Sequence, residues 1–141
     1  MNEAKRNEYP VDRLVKLRVR HYGNMHYNPE LFTPICDVPF VNKPKGGLWT
    51  SPIDSTYGWS EWSKANEYGD LTTHFDLDFE GTVFEIDGLE DMNDLPWLES
   101  NGRHFVSFEA LVVMGYDAIL LTAKGQVDTR YTHPRSLYGW D

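Results

Sequence analysis

RLVKLRVRHY, residues 13–22, alternates without a break. Val15, Leu17 and Val19 fall on one side, and Lys16, Arg18 and Arg20 on the other. This is the two-residue period of a strand with one face buried. Parity places His21 with the valines, and Tyr22-Gly23 closes the run. Residues 23–47 are rich in Gly, Pro and Asn and read as a long ordered loop. Gly46-Gly47 then leads into a short strand, LWTS (48–51), which Pro52 ends. Asp54 or Ser55 opens a helix from about Tyr57 to Glu67, with Trp59 and Trp62 on one face. HFDLDF (74–79) and GTVFEID (81–87) alternate and are joined by a glycine, so they read as paired strands. Residues 87–99 are acidic and broken by Pro96, a loop with a short helix. Ser107 caps a helix over FEALVVM (108–114) that Gly115 ends. YDAILLT (116–122) is a buried strand, and AKGQ (123–126) reads as a hairpin turn into VDTRYT (127–132). Short helices outnumbered by strands imply an α+β fold with a mostly antiparallel sheet.

The chain has 141 residues, 40% of them apolar and 14% aromatic, which suits a single domain spanning 1–141 with a proper core. No internal repeat is present. No apolar run approaches the length of a membrane span, and MNEAKRNEYP carries no apolar region of a secretory leader. Cys36 is the lone cysteine and fits a reducing compartment, so a cytoplasmic protein is expected. The net charge of −9 is uneven: residues 54–99 hold thirteen Asp and Glu against Lys64 alone. General nucleic-acid binding is disfavoured by that balance. A basic protein surface is a partner it suits, and a solvated acidic face is the plainer reading.

A phosphate-binding glycine loop, a dinucleotide fingerprint, GxSxG and paired Cys or His at metal spacing are all missing, so no metal is expected. Three features remain in order. Arg20-His21 ends a strand before Tyr22-Gly23. GGLWTSP (46–52) is a glycine-led strand followed by a helix with Tyr57. FEALVVMGYDAILL (108–121) is a helix–glycine–strand unit. Each has a plain structural reading: a strand-end pair bonded to nearby acids, strand-edge hydroxyls, and packing aromatics.

Taken together and in this order, the three features resemble the ADP-ribosyltransferase superfamily, its small phage-type members in particular. The resemblance runs from about residue 14 onward. It implies a split β-sandwich-like sheet core with a few short helices, and NAD as substrate. Arg20 or His21 would fall in the first motif, which grips NAD beside Tyr22 and Gly23. Gly47, Trp49, Thr50 and Ser51 would form the second motif, and Tyr57 would stack on nicotinamide. A glycine beside the basic pair lets the carboxamide approach backbone groups, and an aromatic offers a flat face. The superfamily's glutamate, which favours the cationic transition state as nicotinamide leaves, is expected just after SLYGWD (136–141). Gln126 takes a related place without its charge. The implied activity is mono-ADP-ribosyl transfer to a host protein or nucleic acid by a phage or mobile-element protein in the host cytoplasm. A second reading, from another class, is a non-catalytic acidic inhibitor of a host defence nuclease, anti-CRISPR-like, acting through residues 54–99. A virion assembly protein is a third.

Overall fold

The computed structural model describes residues 14–38, 42–54, 59–67, 69, 71–137 and 140. Within them the fold mixes three small sheets with short helices. The alternating run that begins the described chain is strand β1, Val15–Tyr22. It is flanked by β2, Ser51–Pro52, and by β3, His74–Gly81, both antiparallel to it. Its apolar positions turn inward, and Val19 is buried. Its basic positions meet the acids of β3 directly opposite: Lys16 faces Glu80, Arg18 faces Asp78 and Arg20 faces Asp76. All three pairs close as ion pairs. Each such pair contributes little on its own at a surface. In series they fix the register, because slipping either strand by one residue would bury the charges. Three acids of the acidic segment are therefore answered within the fold.

The expected pairing of residues 74–79 with 81–87 does not occur. Strand β4, Val83–Ile86, follows β3 after Thr82 alone, too short a link for a hairpin. Instead β4 lies parallel to β7, Ala118–Leu121. Thr82 holds the junction: its N–H and hydroxyl donate to Asp117 Oδ2 at 2.8 and 3.0 Å. A 3-10 helix, Leu89–Asp94, follows β4, as the acidic loop with a short helix predicts. Asp91 accepts from the Asp87 and Gly88 amides at its start. The end of that acidic stretch is not loop. Trp97–Ser100 (β5) and Arg103–Val106 (β6) form an antiparallel hairpin across Asn101-Gly102. Both turn residues have positive φ, 53° and 76°, which Asn and Gly tolerate best.

Two helices lie as the sequence implies. Helix α1 is Trp59–Ala65, and α2 is Phe108–Val113 with the Ser107 hydroxyl accepting from the Ala110 amide. The hairpin turn expected at 123–126 is a correction. Residues Ala123–Thr129 form helix α3, capped by Thr122, and 127–132 is not a strand. Gly125 is there for close packing, since a Cβ would collide with the Ile86 carbonyl oxygen. The glycine that resembles a turn residue is what lets α3 lie against the end of β4.

The core gathers Phe84 and Ile86 of β4, Val106, and Phe108 and Leu111 of α2. Met92, Leu95, Leu137 and Trp140 complete it. Ile86 and Val106 are 0% and 1% exposed. Full burial of such side chains stabilises by about 1.5–3 kcal/mol each. No helix among the described residues is long and apolar enough to cross a membrane.

Candidate functional site

The end of β1 and the glycine-led segment come together through one imidazole. His21 Nδ1 lies 2.7 Å from the Trp49 carbonyl oxygen, and the Asn24 amide nitrogen lies 3.2 Å from Nε2. An amide nitrogen only donates, so Nε2 accepts and Nδ1 carries the proton it gives to Trp49. His21 is thereby a strut between β1 and residue 49, with Phe75 tilted against its ring at 5.1 Å. Both ring nitrogens are engaged, so a ligand would meet His21 through its ring or after an exchange of partners.

Gly46 and Gly47 set the approach to Trp49. Their φ values are 86° and 79°, a left-handed stretch that favours glycine. The bridge between Cys36 and Lys45, with bonds of 3.0 and 2.9 Å, ties the preceding loop to this turn. Asn42 anchors it further: its side chain donates to the Ser136 carbonyl and accepts from the Val106 amide, both at 2.8 Å. Ser51 and Pro52 then pair with β1, and the Ile53 amide donates to the Arg18 carbonyl, so the expected strand over 48–51 reduces to its last residue and extends into the proline. Leu48, Trp49 and Thr50 remain irregular, and their side chains are free of the alternation a strand would impose.

The facing wall is α2 with the β7 segment. Asp37, from the long loop, caps α2 alongside Ser107: its carboxylate accepts from Ser107 Oγ and from the Phe108 and Glu109 amides. The Glu109 carboxylate in turn accepts from the Asp37 amide at 2.8 Å. The loop and the helix N-terminus are thus latched reciprocally, in the manner of a capping box assembled across the chain. Between these walls lies a cleft of about 520 Å³. That is the size of a small-molecule site.

Eight of the ten residues singled out from sequence line this cleft. Arg20, His21 and Tyr22 come from β1. Gly47, Trp49, Thr50 and Ser51 come from the glycine-led segment, and Gln126 comes from α3. Gln126 reaches the cleft from a helix, where the sequence suggests a hairpin turn leading into a strand. Gly23 does not line it; its amide donates to the Thr73 carbonyl and closes the end of β1. Tyr57 lies outside the described residues. Sequence reasoning passed over Lys43, Tyr116, Asp117 and Trp140, which also line it. Tyr116 and Asp117 sit in the quoted GYDA run, and Trp140 sits in SLYGWD.

Electrostatics distinguish the two ends. Arg20 grips Asp76 through two bonds, Nε to Oδ1 at 2.7 Å and a terminal nitrogen to Oδ2 at 3.1 Å. The Asp76 hydrogen bond raises the Arg20 guanidinium further above its ordinary value, with a smaller push from Tyr22. The same bond holds Asp76 below the usual carboxylate range. Trp49, 43% exposed, stands edge-on to Trp140 at 6.3 Å. The Lys43 ammonium lies over the Trp49 ring, 5.5 Å from its centroid. A smaller recess beside Arg20, Tyr22 and Ser51 includes Ser60 and Glu61. No group of His, Cys, Asp or Glu among the described residues has the arrangement of a metal site. Comparison with protein-family models, with curated proteins and with solved structures found no match to this chain.

Proposed function

We propose that this cleft binds NAD as substrate and that the protein is a mono-ADP-ribosyltransferase-like protein directed at a host factor. One observation carries the reading: three motifs far apart in sequence, chosen for this chemistry, converge on a single cleft with aromatic walls. In this reading Trp49 and Tyr22 offer ring faces to the nicotinamide and adenine moieties. Gly47 admits the ligand close to the backbone, and Thr50 and Ser51 offer hydroxyls to its ribose. The cleft and its sheets would correspond to the split β-sandwich-like core of the superfamily.

The reaction breaks the bond between the ribose anomeric carbon and the nicotinamide nitrogen. The electron pair of that bond leaves with nicotinamide and neutralises its ring charge. The acceptor's nucleophilic atom forms the new bond to the anomeric carbon and loses its proton to water. Positive charge builds on the ribose in the transition state, so a nearby negative charge accelerates the step. Gln126 offers an amide there, which orients a hydroxyl without stabilising that charge fully. Asp117 is the carboxylate of the cleft itself, held by Thr82.

Calorimetric titration with NAD tests binding, and release of nicotinamide from NAD with and without a host lysate tests the chemistry. Saturable binding that Trp49→Ala weakens is expected. Absence of NAD binding together with absence of nicotinamide release sinks the reading.

A further inference from the structure

Among the described residues, the charged groups around the cleft are answered by protein partners, Lys43 excepted. Arg20 is held by Asp76. Asp117 takes the Thr82 amide and hydroxyl. His21 is bonded at both ring nitrogens. Lys43 makes no ion pair with the described residues; its ammonium rests on the Trp49 ring instead. In a chain of net charge −9, a lysine at this cleft with no carboxylate bound to it among the described residues calls for an explanation. An aromatic face attracts a cation without neutralising it, and the N–H donors remain usable by an anion.

We propose that Lys43 and Trp49 form an anion-recognising rim, where a phosphate-bearing ligand lays a flat base on the indole and gives its phosphate to Lys43. The proposal rests on the reading of this cleft as a nucleotide pocket, but it needs no glycosyl chemistry. The ring of the ligand replaces the ammonium on the Trp49 face, and the ammonium moves to a partner of full charge. Gly47, also on this rim, has no side chain to obstruct the exchange. A charge-assisted bond to phosphate is stronger than a solvent-exposed contact between a cation and a ring, so the exchange runs toward the ligand. Because Lys43 is exposed, added salt should weaken the contact.

Calorimetric titration of the full chain with adenosine, ADP and NAD separates the contributions. Lys43→Gln should weaken ADP by about tenfold, the loss of one hydrogen bond to a charged group, and leave adenosine unchanged. Lys43→Arg should retain ADP binding. Trp49→Ala should weaken adenosine and ADP together. The unfolding midpoint of each variant, expected near that of the wild type, shows that the fold is intact. The rim is overturned if Lys43→Gln weakens adenosine and ADP alike, if it weakens neither, or if no probe binds the wild type. Should ADP bind through Lys43 while NAD does not bind, the rim stands and the NAD reading falls.

Discussion

Alanine at Gly46 and alanine at Gly47 should differ sharply, although the two positions are adjacent and share a left-handed backbone. The conformational penalty is common to both, about 1–2 kcal/mol for an L side chain in this region. What separates them is the surroundings of the new methyl group. At Gly46 a Cβ would stand 2.5 Å from the Pro34 carbonyl oxygen and 2.6 Å from that of Thr33. Both are backbone atoms, and the loop carrying them is tied down by the Cys36–Lys45 bridge and by Asp37. At Gly47 the Cβ would meet only Ile35 Cδ1, at 2.8 Å, the tip of a side chain that can rotate away. Forcing the loop backbone apart adds about 1–3 kcal/mol, as overpacking does elsewhere. Gly46→Ala should then cost about 2–5 kcal/mol and Gly47→Ala about 1–2 kcal/mol. The difference of about 1–3 kcal/mol, at a urea m-value of about 1.5 kcal/mol/M, should separate the two midpoints by about 0.7–2 M. Equilibrium urea unfolding followed by tryptophan fluorescence measures this directly. Equal midpoints, or a lower one for Gly47→Ala, would refute the account of the turn.

Asp37→Ala removes the acceptor of three donors at the start of α2 and should destabilise by about 2 kcal/mol, with Asp37→Asn losing less; urea unfolding of both variants checks the order. The Arg20–Asp76 pair makes stability depend on acid. Asp76 is lowered from its ordinary 3.8, so its contribution is complete above that value and fades as pH falls through the lower folded one. Asp76→Asn should flatten that part of the stability–pH curve, and an unchanged acid limb would exclude the pair as its source. His21→Ala should release the Trp49 carbonyl, cost about 1 kcal/mol and speed amide exchange over residues 47–51, read by hydrogen-exchange mass spectrometry. Charge reversal at Asp87 and Asp91 should lower stability by itself. Asp91 caps the 3-10 helix and Asp87 accepts from Thr122 at 2.6 Å. Glu90 and Asp94 are exposed, and reversing them should leave the unfolding midpoint near that of the wild type.

Where the sequence was legible, one physical signal dominated. The alternation of residues 15–22 survives in the fold because one face is buried and the other is paired, so neither competes for the other's environment. The helix–glycine–strand unit of 108–121 was legible through Ser107 and Gly115, both local signals. Failures came where a local signal had a distant cause. Gly125 looks like a turn residue until the Ile86 carbonyl, thirty-nine residues away in the chain, is placed above it. Residues 74–87 look like a hairpin because the alternation continues on both sides of Gly81, yet the chain changes sheets there through Thr82 and Asp117. Asn101-Gly102 was a strong local signal that the acidity of residues 87–99 obscured.

The site shows a different balance. Most of the residues that motif order singled out line the cleft, but motif order does not say how they are held. Arg20 and His21 were expected to face a ligand, and both are bound first to protein: one to Asp76, the other to Trp49 and Asn24. These bonds fit the sites they stabilise, since a cleft assembled from an irregular segment needs rigid attachment to present Trp49 and Thr50 reproducibly. A ligand-binding role for His21 and a strut role for His21 therefore make opposite demands on substitution. A side chain that only contacts ligand can be removed with the loop unchanged, whereas a strut cannot. Asn24→Ala tests the distinction without touching the cleft lining. It removes the donor to Nε2 and leaves the bond to Trp49, so loss of ligand affinity there would trace to the orientation of the ring.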